Sequence, residues 1–565
     1  MLISFDIFDT AIIRKTFLPT GIFEIIEDKV GNDFKNKRIN AENLARDKYK
    51  VYNIDHIYEF LTGFDKNIEI DTEIENCIQN KKVFKIYSKH IEDGDEVIFI
   101  SDMYLSSAIL YKILENCGYI KPKIFVSCEN NAHKGDSSLF KVVQNIMNKK
   151  IDKHYGDNYV ADIVGARNCD IIPEYLPRLD NLKNNVPEIS TKLRKLLVLN
   201  EFSDKTLNKK VSCYWAPIIY NFTKWVLEER DSKLPNSKIF FNARDGYVPY
   251  LIAKNIFKAD NIFYIHTSRK SLIPPSINFN KKINDPENKF ILDRIVLQRA
   301  NNIKALLKIL NFPEDKYYLL KRIDVENYPK QKFIIKNEKV LYEHFKIQKE
   351  NTIKYLKNNN IQDSDMLVDI GYYGSLQYSI QRILNIKLNG YYFQCFQNKD
   401  VSELELTRFS YFNKDIIKYC LMIESLFSSD EDGVIAYNDS GIPIFYTDNE
   451  SKKNFSKEVI NELLNTCSYI YEQKDFKITY LDTEKLATRF QYYPTLEESH
   501  YCTEEIFENG DIDNSESVVW YNRDKIKQGK LQDCYNKSYW RPAFEKLLQN
   551  DVELSHLEKN LKKEY

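Results

Sequence analysis

Six acidic, hydroxyl or basic residues in the first third of the chain stand at or near the places where apolar runs stop. Asp6 follows Met1-Leu-Ile-Ser-Phe5, with Thr10 four residues on; Ser101 follows Val97-Ile-Phe-Ile100; Lys134 opens a helical stretch in His133-Lys-Gly-Asp136; Asp157 and Asp162 share Gly156-Asp-Asn-Tyr-Val-Ala-Asp162. Hydrolysis of a phosphate ester through a carboxylate needs a nucleophile, a divalent cation to offset repulsion between anions, and donors for the phosphoryl oxygens. These residues offer all three. Singly, a strand-end Asp is commonly a helix cap, a Ser a turn residue and a Lys a solvated charge. Their order and shared position after strands carry the information.

A second set lies beyond residue 240. Arg244-Asp-Gly246 and Ser268-Arg-Lys-Ser271 each follow an apolar strand, and Met366-Leu-Val-Asp369 runs into the glycine-bearing loop Gly371-Tyr-Tyr-Gly-Ser375 and then a helix. Backbone amides at such a helix start cradle phosphate, and an acid at the strand end can bond ribose hydroxyls. The adjacent cations Arg244, Arg269 and Lys270 suit a diphosphate better than a single phosphate.

Both sets require parallel sheets, because open α/β sheets put their chemistry beyond the carboxyl ends of strands. Strand signals at 1–8, 96–100, 123–126 and 154–155 alternate with helical stretches such as 137–147, which predicts one such sheet. Residues 19–90 read as helical and charged, an insertion between Thr10 and Ser101. Within it Arg38, Glu42 and Arg46 share a helical face, either as a salt-bridge ladder or as a phosphosugar contact. Around 173–210, with Pro177 and Pro187, the alternation is lost. We therefore expect an α/β protein of two domains, 1–190 and 200–565, with a helical cap at about 15–92. The second domain opens on a helix from Val211 to about Glu229, is largely helical from 279 to 360, and is helical and charged beyond Asn449.

Composition limits the partners. The 81 basic and 82 acidic side chains sum to −1, so no whole-chain field draws the protein to nucleic acid or an anionic membrane. Any anion needs a local site. The ten cysteines form no CxxC pair or zinc-like spacing, the chain opens on a strand rather than a signal peptide, and no apolar run reaches the ~20 residues that span a bilayer. A cytoplasmic location is expected, with any membrane association peripheral at the inner face. The 39 Tyr and 33 Phe suit a core and equally suit sugar-binding surfaces.

The segments Ser4-Phe-Asp-Ile-Phe-Asp-Thr10, Ser101, Lys134 and Gly156–Asp162 together resemble the four motifs of the haloacid dehalogenase superfamily. The resemblance implies a Rossmann-like core with a helical C1-type cap, Asp6 as nucleophile, and Mg²⁺ held by Asp6, the backbone carbonyl of Phe8 and Asp157 with support from Asp162. Ser101 and Lys134 would hold the phosphate. One departure is plain: phosphatases of that superfamily carry an acid two residues after the nucleophile, and here Phe8 stands there. An aromatic residue at that position also occurs in its dehalogenases, so carbon–halogen chemistry or a silent site stays open. The metal carboxylates favour a phosphatase in which Asp9 is the general acid.

Over nearly the whole chain the motif order, extended by Ala243-Arg-Asp-Gly246, Ser268-Arg-Lys270 and Asp369–Ser375, is similar to the dual-domain ribofuranosyltransferases of bacterial surface-polysaccharide (O-antigen or capsule) synthesis. That resemblance implies a carboxyl-terminal phosphoribosyltransferase-like α/β domain with helical additions. It moves 5-phosphoribose from phosphoribosyl pyrophosphate (PRPP) to a lipid-linked glycan, and the amino-terminal domain then removes the 5-phosphate. On this reading Gly371, Gly374 and Ser375 form the phosphate nest, Asp369 meets ribose, and Arg244, Arg269 and Lys270 meet pyrophosphate, flanked by Gly246 and Ser268. Asp245 and Glu424 are the candidate bases. Two other readings stay open: a phosphatase whose second half only binds glycan, and a silent interaction protein.

Overall fold

The computed structural model describes the chain except residues 17, 32, 177–188, 293–299, 301, 324–327, 397–405, 414, 428, 446–449, 474–475, 502–505, 509–514 and 563–565. It forms two compact units, Met1–Asp204 and Lys205–Tyr565. Pro177 and Pro187, expected to mark the junction, lie outside the described residues.

In the first unit the strands are β1 (Leu2–Phe5), β2 (Ile12–Arg14), β3 (Cys77–Gln79), β4 (Glu96–Ser101), β5 (Lys123–Val126), β6 (Lys153–Gly156) and β7 (Ile172–Tyr175). Five of them form a parallel sheet in the order β5-β4-β1-β6-β7. Every residue of β1 is buried, as expected of a strand covered on both faces. Its alternate side chains feed two cores: Ile3 and Phe5 join Phe99, Leu110, Leu114 and Tyr119, while Leu2 joins Ile98, Ile100, Phe140 and Val143. Numbered within the unit, the order is 3-2-1-4-5, a Rossmann-like sheet whose connections reverse direction between β1 and β6.

The insertion between β1 and β4 holds the helices Thr20–Val30, Phe34–Lys48, Ile54–Tyr58, Lys66–Glu75 and Lys81–Glu92. Ile22, Phe23, Ile26, Phe34, Ala41 and Ala45 give it a core of its own. The sequence shows few strand signals there, yet β2 and β3 pair antiparallel; three residues are too few to reveal a two-residue period.

In the second unit, β8 (Ile239–Asn242), β9 (Ile262–Ile265), β10 (Met366–Asp369), β11 (Asn389–Gln394) and β12 (Thr407–Phe412) form another parallel five-stranded sheet, ordered β12-β11-β10-β8-β9. Within the unit this is 2-1-3-4-5, with its reversal between β8 and β10. One face packs Phe240, Leu367, Ile380 and Leu356. Against the other lies the helix Leu207–Lys233, longer at both ends than expected, whose Phe222 meets Phe393 edge-on. Ile273, Ile277, Leu306, Leu307, Leu310, Phe333, Leu341 and Phe345 belong to a separate core cluster. Among the described residues beyond 449 helices dominate, with one short antiparallel pair, Ile506–Glu508 and Ser515–Ser517. Among the described residues no helix is long and apolar enough to cross a membrane.

Candidate active site

The reversal point of the first sheet gathers the acids. Asp6 lies one residue past β1 and Asp157 one residue past β6, the two strands that flank it. Asp162 comes from the π-helical turn Tyr159–Val164, whose start is fixed by Asn158 accepting the amides of Val160 and Ala161 at 3.0 and 3.1 Å. One oxygen from each of Asp6, Asp157 and Asp162 falls within 4.8 Å of the others, and all three residues are buried.

Lys134 closes the cluster. Its Nζ donates to Asp6 Oδ1 and Asp162 Oδ1, 2.5 Å each, while its amide donates to both oxygens of Asp102 at 3.0 Å. The lysine is 2% exposed, and its partners raise its pKa despite burial, so it stays charged. Thr10 Oγ1 donates to Asp157 Oδ1 at 3.3 Å. Buried His154 links Ser4 Oγ (2.8 Å from Nδ1) to Asp162 Oδ1 (3.2 Å from Nε2), and burial lowers its pKa toward the neutral form. Glycine at 156 is dictated by contact: a Cβ there would stand 2.3 Å from Asp162 Cγ. Gly165 is equally constrained, its Cβ meeting Lys134 O at 2.2 Å.

Three carboxylates lie together and Lys134 bridges two of them. Asp6 is pushed well above the usual carboxylate range by burial first, against the pull of Lys134 and with added push from Asp162 and Asp157. Asp162, with Lys134 and His154 beside it, is held low although burial opposes this. Such a cluster fits a hard, oxygen-preferring dication such as Mg²⁺. Asp6, Asp157 and Asp162 are the residues that would hold it.

Ser101 ends β4, 3% exposed. Phe8 lies half-buried under the Arg14 guanidinium, 3.9 Å from ring centroid to Cζ, and Arg14 is itself paired with buried Glu73 at 2.5 Å. Asp9 is half-buried with φ 59°, and its charge is felt by Arg14. In the insertion, Arg38 is wholly buried. It forks onto Glu69 at 2.6 and 2.8 Å and reaches Glu42 at 2.9 Å, so the helical-face trio is a packed ion network with only Arg46 at its exposed rim.

The second sheet has a corresponding group at its own reversal point. Asp369 ends β10 and Asn242 ends β8; Asn242 Nδ2 donates to Asp369 Oδ2 at 2.9 Å, and Thr267 Oγ1 donates to Asn242 Oδ1 at 3.1 Å. Burial, then the charge of Asp245, raises Asp369 to about 7, while Asn242 and Arg269 pull the other way. Asp245 and Arg269 therefore stand by Asp369. Glu424, half-buried on the helix Cys420–Phe427, acts with Asp245 on the hydroxyl of Tyr372.

The glycines follow backbone demands: a Cβ on Gly246 would stand 2.4 Å from Asn242 O and one on Gly371 2.7 Å from Gln394 O, and Gly374 has φ +76° as it caps the helix Ser375–Leu384. Arg244 has φ 67° and donates its amide to Tyr264 Oη at 2.9 Å; Lys270 is half-buried beside Arg269. Ser268 caps the short helix Arg269–Leu272 and donates to Val434 O at 2.6 Å, so its hydroxyl has an architectural task.

Sequence reading did not single out Asp102, His154, Asn242 or Thr267. Asp102, Asn242 and Thr267 are polar side chains at or just past a strand end and His154 lies within β6, a signal visible only once the neighbouring strand is known. Neither a scan against protein-family models nor a search of curated proteins finds a match to this chain.

Proposed function

We propose that the protein is a two-step enzyme: the second unit transfers 5-phosphoribose from PRPP to a glycan, and the first removes the 5-phosphate in a Mg²⁺-dependent reaction. The observation that carries the hydrolytic half is the buried Asp6–Lys134–Asp162 bridge with Asp157 alongside, at the reversal point of a Rossmann-like sheet. Asp6 attacks phosphorus and takes the phosphoryl group as an aspartyl phosphate; the ribose 5-oxygen leaves and takes a proton from Asp9. Water then releases inorganic phosphate and regenerates Asp6. Lys134 and Ser101 hold phosphoryl oxygens. A bound cation supplies charge neutralisation between nucleophile and phosphate. Asp102 fixes Lys134 through its amide, and His154 and Lys134 fix Asp162.

For the transfer half, support comes from a second reversal-point acid, Asp369, beside Arg269 and Asp245, with the helix Ser375–Leu384 opening on Gly374. Asp369 binds ribose hydroxyls, the loop of Gly371, Gly374 and Ser375 takes the 5-phosphate, and Arg244, Arg269 and Lys270 take the pyrophosphate. Asp245 or Glu424 accepts the proton of the glycan hydroxyl.

The test is Asp6→Asn with PRPP and acceptor glycan, products read by mass spectrometry. The expected product is a glycan carrying phosphoribose. Unphosphorylated ribose on the glycan would overturn the division of labour.

A further inference from the structure

A groove of about 1020 Å³ in the second unit follows the edge strand β12 and the helix Leu207–Lys233. That volume lies at the upper limit of the roughly 300–1,000 Å³ of small-molecule sites, enough for several linked rings rather than one. Three half-buried aromatic side chains line it: Trp225, Phe409 and Tyr480. Packing holds them in place. Phe409 stacks on Tyr391 with centroids 4.8 Å apart, and Trp225 and Tyr480 each lie 5.6 Å from Tyr411.

The charges of the groove cancel. Lys224 pairs with Glu228 at 3.6 Å and Lys233 with Glu229 at 2.7 Å; Arg408 and Asp415 complete three cations and three anions. A polyanion gains nothing from such a lining, and an apolar ligand would leave these groups desolvated. A neutral polyhydroxylated ligand satisfies both demands, with C–H faces on the rings and hydroxyls on the ion pairs. One part of the groove also meets the loop after β10. Arg408 Nη1 donates to Tyr373 O at 3.4 Å, its Cδ lies 3.1 Å from where a Cβ on Gly374 would stand, and the Cys395 thiol feels the charge of Asp369.

We infer that this groove is the acceptor site and takes a neutral oligosaccharide, its rings on Trp225, Phe409 and Tyr480 and its reacting end toward the loop 371–375. The inference rests on the reading above that the second unit acts on a glycan.

The full chain is incubated with an array of neutral and anionic bacterial oligosaccharides, and PRPP binding is followed in parallel by calorimetry. Wild type is expected to retain neutral members. Phe409→Ser and Tyr480→Ala each weaken retention about tenfold, Phe409→Tyr and Tyr480→Phe keep it, and PRPP affinity is unchanged throughout. Hydrogen exchange on wild type, which needs no variant to fold, is expected to slow over residues 406–413 when the retained sugar is added. Retention of no array member, retention of anionic members only, equal retention by the ring-deletion variants, or no slowing at 406–413 overturns the inference. Failure of wild type to bind PRPP overturns the transfer step instead, while sugar retention still decides the groove.

Discussion

Asn242 and Asp369 meet across the reversal point of the second sheet, amide nitrogen to carboxylate oxygen at 2.9 Å, and Thr267 sets which way the amide faces by donating to its oxygen. Three strand ends thus converge on one carboxyl group.

That carboxyl makes stability depend on pH. Its folded-state pKa is raised from 3.8 to about 7, so the folded chain holds a proton that the unfolded chain has already lost. The contribution is fully present below about pH 4, falls as pH rises, and is gone above about pH 7, an upper bound of roughly 4 kcal/mol. Asp369→Asn does not ionise. Thermal unfolding of wild type and variant from pH 5 to 8 should show the variant gaining on wild type as pH rises; a gap that stays constant would exclude Asp369 as the source.

The triad predicts a response to metal. About 10 mM Mg²⁺ should raise the melting temperature of wild type, because a ligand of the native state alone stabilises it, and EDTA should reverse the gain. Asp157→Asn should abolish the response and leave the pairing of Lys134 with Asp6 and Asp162 intact, as calorimetric titration with Mg²⁺ can check.

Gly156→Ala probes how tightly Asp162 is held. The new methyl group overlaps the carboxylate and must displace it from Lys134 and His154. Overpacking of this kind costs about 1–3 kcal/mol, and misplacing a site group costs on the order of 100-fold in rate. Denaturant melts and phosphate release from ribose 5-phosphate measure the two effects separately.

Arg38 and Arg46 lie on one helix but should differ sharply. Arg38→Met strands buried Glu69, which also accepts from the hydroxyls of Tyr58 and Tyr104, and should cost roughly 3–5 kcal/mol. Arg46→Ala at the exposed rim should cost less than about 1 kcal/mol. Chemical denaturation distinguishes them.

In the first sheet Leu2–Phe5, Glu96–Ser101 and Lys123–Val126 were legible because they stand out as apolar runs and polar residues such as Asp6 and Ser101 stop them, whereas the edge strand Ile172–Tyr175, whose Ile172 and Tyr175 are exposed, lies where the sequence turns polar and was not. In the second sheet the strands bearing charged loops were legible, whereas Asn389–Gln394 and Thr407–Phe412 were not. Their Tyr-Tyr-Phe and Phe-Ser-Tyr-Phe runs carry no strand-end charge. Arg38 looked like a surface residue because its partner, Glu69, lies 31 residues away on another helix, beyond any local pattern. Asn242 and Thr267 have the same limitation, since a buried amide and hydroxyl acquire meaning only from the strand that lies beside them.

The Lys134 bridge also bears on how a phosphate ester would be captured on the proposed reading. One ammonium stands among three carboxylates, so the cluster by itself leaves negative charge uncompensated. A phosphate ester that arrives first meets like charge, and Lys134 cannot turn toward it without abandoning two carboxylates at once. On that reading, a cation held by Asp6, Asp157 and Asp162 would supply the missing positive charge, so affinity for the phosphate ester is expected to depend on free magnesium.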